Sequence, residues 1–112
     1  MERLKRRQDF VAAARALYAA MPSMVVQARD RKDGAAPRIG FTVTKKQGNA
    51  VARNRIKRRL REIARLHLGE QAHAGFDYVL IGRAQAITRE FTGLKQDINS
   101  ALKRLHHKPD EA

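Results

Sequence analysis

The chain lacks cysteine and tryptophan altogether. Without thiols it can form neither disulfides nor thiolate metal sites, and this composition fits a reducing cytoplasm. No apolar run approaches the roughly 18 to 20 residues that a membrane-spanning helix needs. The first ten residues, MERLKRRQDF, contain no apolar segment, so we do not expect a secretory signal.

Acidic residues are scarce. The chain has 11 Asp and Glu against 24 Lys and Arg, which gives a formal net charge of +13. Such an excess points to an anionic partner, either nucleic acid or a membrane surface. The most basic segment has no Trp or Phe to insert into a membrane interface, so nucleic acid is preferred. With 112 residues, the chain is expected to form one domain, 1–112.

Much of this positive charge lies in one predicted helix, which begins after Asn49, its expected cap, and ends near Gly69. Apolar residues recur at helical spacing and predict a buried stripe: Ala52, Ile56, Leu60, Ile63 and Ala64. Mainly basic residues fall on the opposite side: Asn54, Arg58, Arg61 and Arg65. Like charges at i,i+4 repel one another, so a polyanion that neutralises them is the simplest compensation. The alternative is a charged face that contacts only water.

A helix and two strands are predicted before this basic helix. The first helix is expected from Asp9, its cap, to Ala20, because Phe10, Leu17 and other apolar residues recur at helical spacing and Pro22 ends the helix. Strands are expected at 23–29 and 38–44. The turn-rich segment 30–37 joins them, which predicts a hairpin.

A strand and a final helix follow the basic helix. The apolar segment 76–83 is typical of a central strand covered on both faces. Helical spacing then links the apolar residues Phe91, Leu94, Ile98, Ala101, Leu102 and Leu105, and 106–112 is expected to be a frayed tail. The order predicts an α+β sandwich: a small, mainly antiparallel sheet packed with three helices. An additional short strand is compatible with it. If the strands that flank the basic helix are parallel neighbours, a right-handed crossover is the general expectation.

No catalytic or metal-binding constellation is evident. The four His and the scattered acids form no nucleophile and base pair at a recognisable spacing. His67, Glu70 and His73 are near one another in sequence, but Gly69 interrupts the helix that would align them for a metal ion. We therefore predict no catalytic residue and no metal site in the protein.

One long motif spans the second strand and the start of the basic helix. It reads GFTVTKKQGN and then AVARNRIKRRLRE, with Lys-Lys, Gly-Asn, Arg-Asn-Arg and Lys-Arg in succession. LKRRQDF near the start and the later strand FDYVLIGR accompany it. In this order and over most of its length, the chain resembles the protein subunit of bacterial ribonuclease P.

The resemblance implies an RNA-binding protein that joins a catalytic RNA subunit and assists endonucleolytic removal of the 5′ leader from precursor tRNA. In that family the RNA carries the hydrolysis, so no cofactor is expected on the protein alone and magnesium is expected through the RNA. The protein is expected to be cytoplasmic, not bound to membranes, and monomeric with one copy per RNA subunit. The family's unusual left-handed crossover through the basic helix is implied as well, against the general expectation.

Site residues follow from the resemblance by position. The basic helix is expected to bind the RNA subunit through Arg53, Asn54, Arg55, Lys57, Arg58, Arg61 and Arg65. The leader is expected in a groove between the first helix and the sheet, lined by Phe10, Gln27, Thr42, Thr44, Lys45 and Lys46. Ala14 and Gln27 stand where relatives often have an aromatic residue, which favours contact with the leader backbone over base stacking beyond Phe10.

Three other classes share parts of this pattern. A general or ribosomal RNA-binding protein has the same kind of composition and fold class. A DNA-binding helix module is disfavoured because the basic helix lies between strands rather than after a short helical turn. A protein-only nuclease would need clustered carboxylates to hold metal ions, and the sequence has none.

Overall fold

The computed structural model describes residues 1–106; of the predicted tail, 107–112 lie outside the described residues. Residues 1–106 form five strands and three α-helices, which confirms the predicted α+β class. In chain order these are β1 (Glu2–Arg3), α1 (Arg7–Ala14), β2 (Leu17–Ala20), β3 (Met24–Asp30), β4 (Arg38–Thr42), α2 (Ala50–His67), β5 (Phe76–Gly82) and α3 (Phe91–Leu105).

The strands form one mixed sheet in the order β1-β4-β5-β3-β2. β4 is parallel to both β1 and β5, whereas β3 is antiparallel to β5 and to β2. The sheet is therefore mixed, with two parallel and two antiparallel strand pairs. α2 connects the parallel neighbours β4 and β5; the handedness of this crossover stays a prediction.

The predicted hairpin of β3 and β4 is wrong, because β5 lies between these two strands. Leu80 in β5 is the register partner of Val26 on one side and of Phe41 on the other. β5 carries apolar side chains on both faces, and Tyr78, Val79 and Leu80 are almost completely buried. Burying this strand in the centre removes more apolar surface from water than a local hairpin would.

The first helix is shorter than predicted. α1 ends at Ala14, and the expected last turns, Leu17–Ala20, form the edge strand β2 instead. Pairing with β3 supplies backbone partners to this segment, and the Met21 N–H donates to the Met24 carbonyl at 2.8 Å to close the turn. Tertiary strand pairing thus overrides a helical spacing that rested on few residues.

Asp9 is also not the cap of α1. Arg6 occupies the cap position and makes no side-chain capping hydrogen bond. Asp9 lies in the first turn, where its carboxylate is 3.6 Å from Arg38 and 3.8 Å from Arg29. Its role is to connect α1 to the sheet electrostatically.

Helices cover both faces of the sheet. α2 and α3 bury one face in the main core, which includes Ile56, Leu60 and Ile98. α1 and the preceding segment cover part of the other face, where Leu4, Ala13 and Val79 form a smaller cluster. A ligand would therefore meet different helices and side chains on the two faces of the sheet.

Candidate nucleic-acid interface

Local sequence fixes the start and the rotation of α2. The Asn49 side chain accepts a hydrogen bond from the Ala52 N–H at 2.9 Å, which confirms the predicted cap. Ile56, Leu60 and Ile63 are fully buried against the sheet. Because these residues fix which side of the helix faces inward, the basic side faces outward.

The outward side of α2 carries the predicted cluster of RNA-contacting residues. Asn54, Arg55, Arg58, Arg61 and Arg65 are exposed, and Arg53 and Lys57 are half-buried. Within residues 1–106, Arg55, Lys57, Arg58 and Arg61 form no ion pair with a carboxylate. Their positive charge is therefore available to an external anion. We call these seven residues the α2 face.

Arg59 is turned away from the α2 face. Its guanidinium donates to the backbone carbonyls of Ile87 and Arg89, in the segment that precedes α3. These bonds attach that segment to α2, so Arg59 has a structural role. The position of Arg59 among the other basic residues of α2 does not by itself reveal this structural role.

Arg65 is the one member of the α2 face that pairs with an acid in the described structure. Its guanidinium donates to the Glu62 carboxylate, one turn earlier, and this hydrogen bond lowers the pKa of Glu62. Both side chains are largely exposed. A pair of this kind is weak, so an RNA phosphate could compete for Arg65.

The predicted leader-binding residues on the sheet share the face that α1 covers. Gln27 is the register partner of Val79, and Thr42 that of Ile81, so all four side chains point to the same side. Phe10 packs over Gly40, where a Cβ atom would lie 2.6 Å from the Phe10 ring. Phe10, Gln27 and Thr42 thus lie on one side of the sheet, as a groove beside α1 requires.

The remaining predicted leader-binding residues follow β4. Thr44, Lys45 and Lys46 are exposed, and a short 3-10 turn, Lys45–Gln47, holds the two lysines. The Gln47 side chain accepts a hydrogen bond from the Ala84 N–H at 2.8 Å. This bond ties the turn to the segment after β5, so the lysines lie on an anchored link between the sheet and α2.

Two residues near these surfaces were missed by sequence reasoning. Tyr18 is 69% exposed and lies opposite Gln27 in the β2–β3 pair, on the α1 face of the sheet. The short apolar run before Pro22 could have revealed β2 and therefore Tyr18. The guanidinium carbon of Arg3 lies 4.8 Å from the centre of the Phe41 ring. Because these residues are far apart in the chain, no local sequence pattern predicts this contact.

The side chains of residues 1–106 do not fit a magnesium site. In the described range, no three His, Asp or Glu side chains are grouped closely enough to hold a metal ion. Two carboxylates that are buried in this range, Asp77 and Asp97, accept hydrogen bonds from arginines. Residues 1–106 also contain no helix long and apolar enough to cross a bilayer.

The fold and the α2 face define a small, basic α+β protein with a cationic helix packed on a mixed sheet. The family model described as Ribonuclease P matches residues 1–106. The chain belongs to this ribonuclease P protein family.

Similar proteins agree with this assignment. The ribonuclease P protein component of Ruegeria pomeroyi is 55% identical over 106 residues, covering 92% of this chain and 85% of the relative. That of Caulobacter vibrioides is 48% identical over 102 residues, covering 90% and 68%. The RNase P protein from Thermotoga maritima superposes with a TM-score of 0.76 at 29% identity, covering 96% of this chain and 100% of the other. A Staphylococcus aureus RNase P protein gives 0.75 at 29% identity, covering 95% and 96%.

Proposed function

We propose that the protein is the protein component of ribonuclease P and binds the catalytic RNA subunit through the α2 face. The observation that carries this proposal is a row of cations without protein partners in residues 1–106, Arg55, Lys57, Arg58 and Arg61, on one side of a single well-anchored helix. Guanidinium groups suit this role because their planar fork can bridge phosphate oxygens. An RNA backbone would neutralise the repulsion between these side chains.

We further propose that the groove beside α1 holds the 5′ leader of precursor tRNA. Phe10, Gln27 and Thr42 lie on one face of the sheet, and Thr44, Lys45 and Lys46 continue from it towards α2. This mixture of polar, cationic and few aromatic groups favours contact with the sugar-phosphate backbone over reading of particular bases. The groove would therefore accept leaders of different sequence.

In this proposal the protein binds and positions, and the RNA subunit carries the hydrolysis. Magnesium ions are assigned to the RNA; in support of this, residues 1–106 have no group of three His, Asp or Glu side chains placed to hold a metal ion. One protein copy would act with each RNA subunit in the cytoplasm. The product is tRNA with a mature 5′ end.

Reconstitution tests this function. We expect the RNA subunit with the protein to cleave precursor tRNA at low magnesium much faster than the RNA alone. A variant with Arg53→Ala, Arg55→Ala and Arg58→Ala should lose this stimulation. The charge-matched control changes three exposed cations of α3, Lys95→Ala, Lys103→Ala and Arg104→Ala, and should retain it.

The outcomes separate the rival classes. RNA binding without any stimulation of cleavage would favour a general RNA-binding protein. Cleavage by the protein with no RNA subunit present would favour a protein-only nuclease. Equal stimulation by both triple variants would contradict the assigned role of the α2 face.

A further inference from the structure

A cleft lies between the C-terminal half of α2 and the β1–β4 edge of the sheet. Its volume is ≈ 240 Å³, and it is separate from the proposed leader groove. Ile39 and Phe41, which line it, point to the opposite side of the sheet from Thr42. The cleft therefore requires an explanation of its own.

The lining combines an apolar floor with a cationic rim. Ile39, Phe41 and Ala64 supply the apolar surface, and three arginines surround it: Arg3, Arg61 and Arg65. Arg61 and Arg65 lie one helical turn apart on the α2 face, whereas Arg3 comes from the edge strand β1. An occupant with a flat apolar part and a negative charge complements both features.

Arg3 is positioned next to Phe41 by the sheet. Its backbone is fixed by the parallel pairing of β1 with β4, where Arg3 is the register partner of Ile39. Its guanidinium carbon lies 4.8 Å from the centre of the Phe41 ring, within the range of a cation–π contact. A guanidinium presented in this way offers a planar, charged surface, and such surfaces stack on nucleobases.

We propose that this cleft binds one unpaired nucleotide of the RNA that occupies the α2 face; the inference rests on the proposed function. The base would lie against the apolar floor and Arg3, and the adjoining phosphates would contact Arg61 and Arg65. The cleft is smaller than the roughly 300 Å³ at which sites for drug-sized ligands begin, so it suits a single base. We assign an unpaired nucleotide because a base in an RNA duplex would have to leave the base stack and lose its pairing partner to enter the cleft.

A charge-conserving substitution separates stacking from simple attraction. Arg3→Lys keeps the positive charge but removes the planar guanidinium, and Arg7→Lys makes the same change at an exposed position outside the cleft. We expect Arg3→Lys to weaken binding of the catalytic RNA subunit by about fivefold or more, the lower end of the contribution of base stacking. Arg7→Lys should bind as the unchanged protein does.

The absence of tryptophan permits a direct optical test. Phe41→Trp places a single indole in the cleft, and its emission should be quenched when a base stacks there. Catalytic RNA and heparin serve as the two probes, because heparin is a polyanion without bases. We expect quenching at saturation with the RNA and none with heparin. The RNA subunit and precursor tRNA are added separately; quenching by precursor tRNA but not by the RNA subunit would contradict the assignment of the nucleotide to the RNA that occupies the α2 face.

The results distinguish failure of this inference from failure of the proposed function. If the unchanged protein does not bind the catalytic RNA, the proposed function fails. If it binds but Arg3→Lys binds equally well, the nucleotide site is refuted, as it is if heparin and RNA change the indole emission of the Phe41→Trp variant equally. Should Phe41→Trp not show a cooperative thermal transition, the comparison of Arg3→Lys with Arg7→Lys decides alone.

Discussion

Asp77 is a fully buried carboxylate that connects three segments of the chain. It lies in β5 and accepts hydrogen bonds from Arg31 at 2.6 Å and from Arg38 at 2.7 and 2.8 Å. Hydrogen bonding to Asp77 raises the pKa of the Arg38 guanidinium. The cluster ties the start of β4 and the segment after β3 to the central strand.

Removing the charge of Asp77 should therefore be costly. We expect Asp77→Asn to lower the free energy of unfolding by about 3 kcal/mol or more, because Arg29, Arg31 and Arg38 lose the buried carboxylate with which all three form ion pairs. Asp33→Asn is the control, since Asp33 pairs with the same Arg31 but is exposed, and it should cost less than about 1 kcal/mol. Urea denaturation measures both; equal losses would contradict a special role for the buried carboxylate.

Glu62 limits the cationic strength of the α2 face, because it pairs with Arg65. We expect Glu62→Gln to free Arg65 and to tighten binding of the catalytic RNA subunit by about two- to fivefold, in line with the strength of an exposed ion pair. Glu70→Gln removes one negative charge just beyond the helix and controls for net charge. Titrations at one fixed salt concentration measure the effect, and an identical gain in both variants would show that pairing with Arg65 is irrelevant.

The position of α2 on the sheet depends on close approach to β5. A Cβ atom at Gly82 would clash with the Ile56 side chain and would lie 3.0 Å from that of Val43. The helix that carries the proposed RNA contacts therefore packs directly on the backbone of the central strand. Its cationic side chains are held by a rigid element rather than by a loop.

Gly82→Ala should disturb this packing. We expect it to reduce the free energy of unfolding by about 1 to 3 kcal/mol, as overpacked cores do. Gly69→Ala serves as the control, because no atom lies within 4 Å of a Cβ at Gly69. Thermal unfolding of the two variants gives the comparison; a Gly82→Ala protein as stable as the control would mean that the helix can shift without loss.

Long helices were predictable from the sequence, and short elements were not. α2 and α3 repeat their apolar spacing over several turns, and central members of that spacing, such as Leu60 and Ile98, are buried, whereas Ala52 is half-buried and Phe91 is exposed. In the first 20 residues the same kind of spacing involved few residues, and strand pairing of Leu17–Ala20 with β3 decided the outcome. Local periodicity cannot report a partner that lies elsewhere in the chain.

The strand order of the whole molecule, too, could not be predicted from local sequence patterns. The pairing of β4 with β5 rather than β3 depends on which strand buries the most apolar surface in the centre, a global property. The residues of the α2 face are neighbours along one helix, so a sequence motif could specify them. The cleft at Arg3 joins β1, β4 and α2, and only the folded chain brings these together.

The salt dependence of binding to the catalytic RNA subunit tests most directly whether the α2 face acts as a phosphate-binding surface. With about six phosphates neutralised, affinity should fall by roughly 10³ between 50 and 200 mM salt. The variant with Arg53→Ala, Arg55→Ala and Arg58→Ala should show a distinctly shallower slope. An affinity that barely changes with salt, or a variant with an unaltered slope, would contradict RNA binding by this face.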